Sequence, residues 1–272
     1  MSPARTHDAP ALGRAPLALL VASGAALLLL LLPVAGLIVR APWGELLTRV
    51  QDPAILDALR LSLVSASCAT AICLVLGVPL AWLLARVEFR AKRLVRTLVT
   101  VPLILPPVVG GVALLMAFGR RGVVGGVLYD QLGITIPFST LAVVLAQSFV
   151  ALPFLVISVE GALRSSDTRY DEVSATLGAN RWQTFHRVTV PLAGPGVASG
   201  AALAWARALG EFGATITFAG NAPGVTRTMP LQIYTALQAD IETAIMLSVI
   251  LLLISVAVLL LLRDRWTGRA VG

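Results

Sequence analysis

Uncharged stretches long enough to cross the hydrocarbon of a bilayer run from Leu17 to Val39, Leu61 to Ala85, Thr97 to Gly119, Phe138 to Val159 and Thr243 to Leu262. A sixth, Gly196 to Ala219, is interrupted only by Arg207 and Glu211. Prolines within these runs (Pro33, Pro79, Pro106, Pro107, Pro153) would break a soluble helix, but bundled membrane helices satisfy the freed carbonyls locally. The pattern predicts an all-α membrane protein with six transmembrane helices. It divides into a tail at 1–16, a first helix at 17–39, a main membrane unit at 57–262 with a long inner loop at 160–195, and a second tail at 263–272.

Composition points the same way. Of 272 residues, 57% are apolar and only 13% charged, where a soluble domain carries about 25% charged residues. The net charge of +7 therefore has to be placed relative to a bilayer before nucleic acid is considered. With the N-terminus inside, fourteen Lys and Arg fall on the inner loops and tails and six on the outer ones. Both termini are thus expected in the cytoplasm of a prokaryotic cell, in its inner membrane. The only lysine is Lys92 and no basic run interleaves with aromatics, so nucleic acid is excluded as a partner. The first apolar run resembles a secretory signal, yet its 23 residues exceed an h-region of about 7–15, which favours a retained span. Cys68 and Cys73 sit five residues apart on one expected helix, a geometry that forbids a mutual disulfide.

Two loops are long. The outer one, 120–137, is rich in glycine and predicts turns with a short helix near Val127 to Leu132. The inner one predicts a helix over Tyr170 to Leu177, a stop at Gly178, and a second helix capped by Asn180 with Gln183 at its third position. Within it, Glu172-Val-Ser-Ala-Thr-Leu-Gly178 is followed after nine residues by Val188-Thr-Val-Pro191. This resembles the cytoplasmic coupling motif of ABC-transporter permeases of the type I importer superfamily. Glu172, Gly178 and Pro191 match at the family's spacing, while Val173 and Ser174 stand where the pattern has alanines. Physically, such a loop presents a helical knob, Glu172 to Leu177, and a glycine elbow where the chain reverses; Pro191 then restarts the chain towards the membrane. The plainer alternative is an amphipathic loop helix on the bilayer, with Val173, Leu177, Trp182 and Phe185 facing lipid.

A second block, Ala206-Arg-Ala-Leu-Gly-Glu-Phe-Gly-Ala-Thr-Ile-Thr-Phe218, with Pro223 to Pro230 behind it, resembles the molybdate permeases of that superfamily. Leu105-Pro-Pro-Val-Val-Gly110 and Gly119-Arg-Arg-Gly122 resemble the same subgroup. The resemblance implies a type I importer permease fold and a homodimer of this chain. It also implies two separate ABC ATPase subunits that use ATP and Mg, and an extracytoplasmic molybdate-binding protein. No cofactor or metal is expected on the chain itself. Sulfate and thiosulfate permeases share the Gly-Glu-aromatic-Gly core and form the alternative.

Arg207 and Glu211 are four residues apart, so on one helix they face each other and can pair within the membrane. Either they hold the fifth helix against a neighbour, or, with Thr215 and Thr217 further out, they line the route of a dianion. Pro106, Pro107 and Gly110 form either a packing kink or a hinge. No Gly-x4-Gly-Lys-Ser/Thr loop occurs, so the chain is expected to be no enzyme and to borrow its ATP hydrolysis. A secondary transporter would show inverted repeats, and none is apparent.

Overall fold

The computed structural model describes residues 16–45, 51–167 and 169–267. Of the two expected tails, 1–15 and 268–272 lie outside the described residues. No strand occurs among the described residues.

The first helix, α1 (Leu17–Val39), keeps Pro33 inside it and buries no side chain. Its leucines face outward, as lipid-facing residues do. After a short 3₁₀ turn, α2 (Pro53–Arg86) begins on Asp52, whose carboxylate accepts from Ala54 N at 2.9 Å, with Pro53 at the first helical position. At 34 residues it starts well before the apolar run at Leu61. Its buried stripe is made of small residues: Ala58, Ser62, Ala66, Ala69, Cys73, Gly77 and Ala81. The stripe lets α2 lie close against α6 (Thr140–Ser165) and α9 (Gly194–Leu209). Cys73 is buried in this contact, Cys68 is exposed, and both are free thiols.

The expected third span is not one helix. It consists of α3 (Lys92–Ile104) and α4 (Pro107–Phe118), whose axes differ by 118°. Leu105 and Pro106 each precede a proline and are therefore driven out of the helical region, to ψ of 131° and 134°. Two extended residues in a row turn the chain. Beyond α4, α5 (Gly125–Leu132) ends on Gly133 in the left-handed region, close to the expected outer helix.

The loop expected to lie inside holds α7 (Arg169–Thr176) and α8 (Arg181–Leu192), the latter with a π-turn at Phe185–Thr189. The expected fifth span is also broken. α9 stops at Leu209, and α10 (Gly213–Phe218) resumes after Gly210, Glu211 and Phe212. The chain then forms α11 (Met229–Ala239), a helix that hydropathy did not suggest, and α12 (Ile241–Thr267). Met229 and Ala236 of α11 pack with Ile55 and Ala58 of α2 and with Leu247 of α12. Among the described residues four helices are long and apolar enough to span a membrane, or up to six when each bent pair counts as one span.

Candidate functional site

The inner loop is built by local signals. At the end of α7 Gly178 takes a φ of +87°, Gly178 N donates to Ala175 O, and Ala179 N donates to Ser174 O at 3.1 Å. This paired closure satisfies the last carbonyls of the helix and requires a residue tolerant of positive φ. Two residues later Asn180 and Gln183 exchange side-chain and backbone hydrogen bonds, both at 2.9 Å, and start α8. Ser174 and Thr184 hydroxyls meet at 3.0 Å between the two helices.

The resulting knob exposes Val173, Leu177 and Trp182, with Leu177 82% exposed. Val173, Leu177 and Gly178 share a groove of about 910 Å³ with Gln183, Arg187 and Val188. Glu172 is exposed on the other side and lines a second concavity with Arg86 and Arg181. Phe185 does not face lipid: its ring stacks on Trp182 at 5.7 Å and meets the edge of Trp82 at 5.5 Å. Pro191 does not restart the chain, because the π-turn lets Val190 N donate to Phe185 O and carries α8 through to Leu192. The 73° turn towards α9 comes after it.

The embedded site is built by the broken helices. Arg207, in the last turn of α9, and Glu211, in the gap before α10, form an ion pair at 2.7 Å. Pairing thus occurs across a helix end, not along a continuous helix as the spacing suggested; Gly210 stops α9 first. Glu211 is 1% exposed, and its other oxygen accepts from Ala214 N at 2.8 Å, so one carboxylate serves both the guanidinium and the N-terminus of α10. Arg207 also lines a cavity of about 130 Å³ with Pro102, Leu105, Pro107, Gly110, Phe149 and Phe154. The arginine and the proline turn, far apart in sequence, bound one space.

Thr215 and Thr217 do not line that cavity. Thr217 donates to Gly213 O at 2.8 Å, whereas Thr215 is fully buried with a hydroxyl that has no partner. Around them α4 and α10 touch through glycines. A Cβ on Gly111 would lie 2.8 Å from Ala214 O, and one on Gly213 would lie 2.7 Å from Pro107 Cβ. Sequence reading missed Gln147 of α6, fully buried with both amide atoms unpartnered. A lone glutamine in an apolar run was the available signal. It also missed the partners of the inner-loop charges: Arg96 and Arg164 both pair with Glu160, at 2.6 and 3.0 Å. On the same rim Lys92 donates to Glu88 at 2.6 Å, and that bond with the ammonium charge holds the Glu88 carboxyl below its usual range.

A bent six-span chain with an exposed inner knob and one ion pair at a helix break is the form of a transporter's membrane subunit. The family described as binding-protein-dependent transport system inner membrane component matches residues 77–270, and the chain belongs to it. It is therefore the inner-membrane part of a transport system that depends on a binding protein. The chain is 50% identical over 229 residues to the molybdenum transport system permease protein ModB of Mycobacterium tuberculosis, covering 84% of this chain and 86% of that one. The protein of the same name from Escherichia coli is 42% identical, over 78% and 93% of the two chains. A bacterial ABC transporter that imports alginate shares the fold, with a TM-score of 0.74 at 17% identity over 93% of this chain and 94% of that chain.

Proposed function

We propose that this chain is the membrane-spanning subunit of an ATP-driven importer that brings molybdate, and tungstate with it, into the cytoplasm. Likeness to permeases named for molybdenum transport supports the cargo. The observation that carries the route is the placement of Arg207, which joins an embedded charge to a cavity bounded by the proline turn. That cavity has room for about four waters at roughly 30 Å³ each, the scale of one tetrahedral oxyanion with little hydration. Arg207 offers the anion one positive charge, and Glu211 tempers it so that the ion is not trapped.

In this reading two copies of the chain form the pore, and two ATPase subunits, using ATP and Mg, dock against Val173, Leu177 and the Gly178 elbow, with Glu172 at the edge. A molybdate-binding protein delivers the anion from outside, and both termini of the permease are cytoplasmic. Closure of the ATPases moves α7, and the turn at Pro106, Pro107 and Gly110 lets α4 change its angle to α3. Discrimination among oxyanions falls to the binding protein, since a transient path needs weak contacts. The test is tracer uptake in proteoliposomes holding this chain, its ATPase and its binding protein. Molybdate should accumulate on ATP addition, and tungstate should compete better than sulfate. Accumulation of labelled sulfate in place of molybdate would move the chain to the sulfate class.

A further inference from the structure

The groove at the knob and the cavity at Arg207 are lined by different residues, and a mechanism that uses both needs a connection between them. At the inner end of α2, Arg86 Nη2 donates to Ser166 Oγ at 2.8 Å, just past the end of α6. Its Nε lies 3.2 Å from Asp171 Oδ2, an ion pair without hydrogen-bond alignment. Asp171 Oδ1 accepts from the Thr189 hydroxyl at 2.8 Å. Asp171 therefore stands in the first turn of α7 and touches both the end of α2 and the π-turn of α8. Four elements converge on two side chains, and Arg86 is only 12% exposed. Asp171 lines the concavity of Arg86 and Glu172 and not the groove of Val173, Leu177 and Gly178.

We infer that Asp171 is a positioning residue that ties the inner knob to the long helices, so that a push on α7 reaches α2 through Arg86 and, through Thr189, the π-turn of α8 that leads into α9. Two features support a strut over a simple surface pair. Trp82 and Phe185 make an apolar contact between α2 and α8, so that α2, α7 and α8 are joined pairwise and the angle of the joint is fixed. The π-turn that holds Thr189 is an inserted residue in the helical ladder, a costly local form that brings its hydroxyl towards Asp171. A carboxylate whose two oxygens serve different elements couples the motion of its own helix to both of them at one point.

The inference rests on the importer reading and is tested in the reconstituted complex. Asp171→Asn keeps the shape and one acceptor but loses the charge. Molybdate carried per ATP hydrolysed should fall about tenfold, the equivalent of one charge-assisted hydrogen bond, while the ATPase still co-purifies. Thr189→Val should lower the same ratio less, and the exchange Arg86→Asp with Asp171→Arg should restore part of it. An unchanged ratio in Asp171→Asn would overturn the strut, as would equal loss of co-purifying ATPase and uptake, which would make Asp171 a docking or folding residue. Wild-type complex that carries no molybdate would instead overturn the importer reading itself.

Discussion

Two regions of the membrane unit are built on opposite plans. α2, α6 and α9 run without a break through their mutual contact, and Ala66, Ala69, Ala81, Ala151, Ala204 and Ala208 fill it. α4 and α10 are half-length helices of 12 and 6 residues, each starting where the chain has been forced out of helix. The first region gains from many small contacts spread along whole helices, so no single residue decides it. The second meets at glycines, Gly111 against Ala214 and Thr217 and Gly213 against Pro107, where there is no room for a side chain. A frame and a movable pair differ here in how local their weak points are.

That difference can be broken most forcefully at the glycine crossing. Gly213→Leu drives side-chain carbons into Pro107, and we expect uptake to fall about a hundredfold with the protein still inserted, as overpacking by about 3 kcal/mol would produce. Leu155→Ala in the frame should lower the melting temperature through a loss of about 2 kcal/mol, yet leave uptake per folded complex unchanged. The reverse pattern in these two variants would end the division into frame and movable pair. Glu211→Ala removes both the cap of α10 and the counter-ion of Arg207. A cost of about 2 kcal/mol is expected, below that of a fully buried pair because Arg207 keeps some exposure; Glu211→Gln should restore the cap alone. Uptake rates of the two variants separate capping from charge.

Smaller effects lie on the inner rim. Gly178→Leu places a side chain at positive φ, a strain of about 1–2 kcal/mol, and should lower transport relative to hydrolysis without disturbing insertion. The Glu88–Lys92 pair is the exposed counterpart of the embedded one. Its lowered carboxyl pKa means that its stabilisation is present above the ordinary carboxylate value and is lost as pH falls through the lowered one. Lys92→Met should erase that shallow step in a thermal-stability profile against pH and keep uptake within about twofold of wild type.

What could be read from the chain alone follows the range of each signal. Gly178, Asn180 and Gln183 act within one turn of their partners, so the inner helices and their caps were legible. The six apolar stretches were legible because length and hydropathy suffice for them. Neither quantity carries direction, so Pro106 and Pro107 marked a kink or hinge without its 118° size, and the stop at Gly210 went unseen. The pairing of Arg207 with Glu211 was read correctly for an incorrect reason. Arg86 and Asp171 belong to separate loops, and only the fold brings them together.

The divided carboxylate of Glu211 has a kinetic meaning. On the proposed route, an anion at Arg207 would compete with a counter-ion held in place by the Ala214 amide at its other oxygen. The guest therefore never enjoys the whole charge, and its dwell time is capped by a rival built into the wall. On that route, a stretch of chain that would bind an anion tightly if Glu211 were free would instead hold it briefly, which favours turnover over retention.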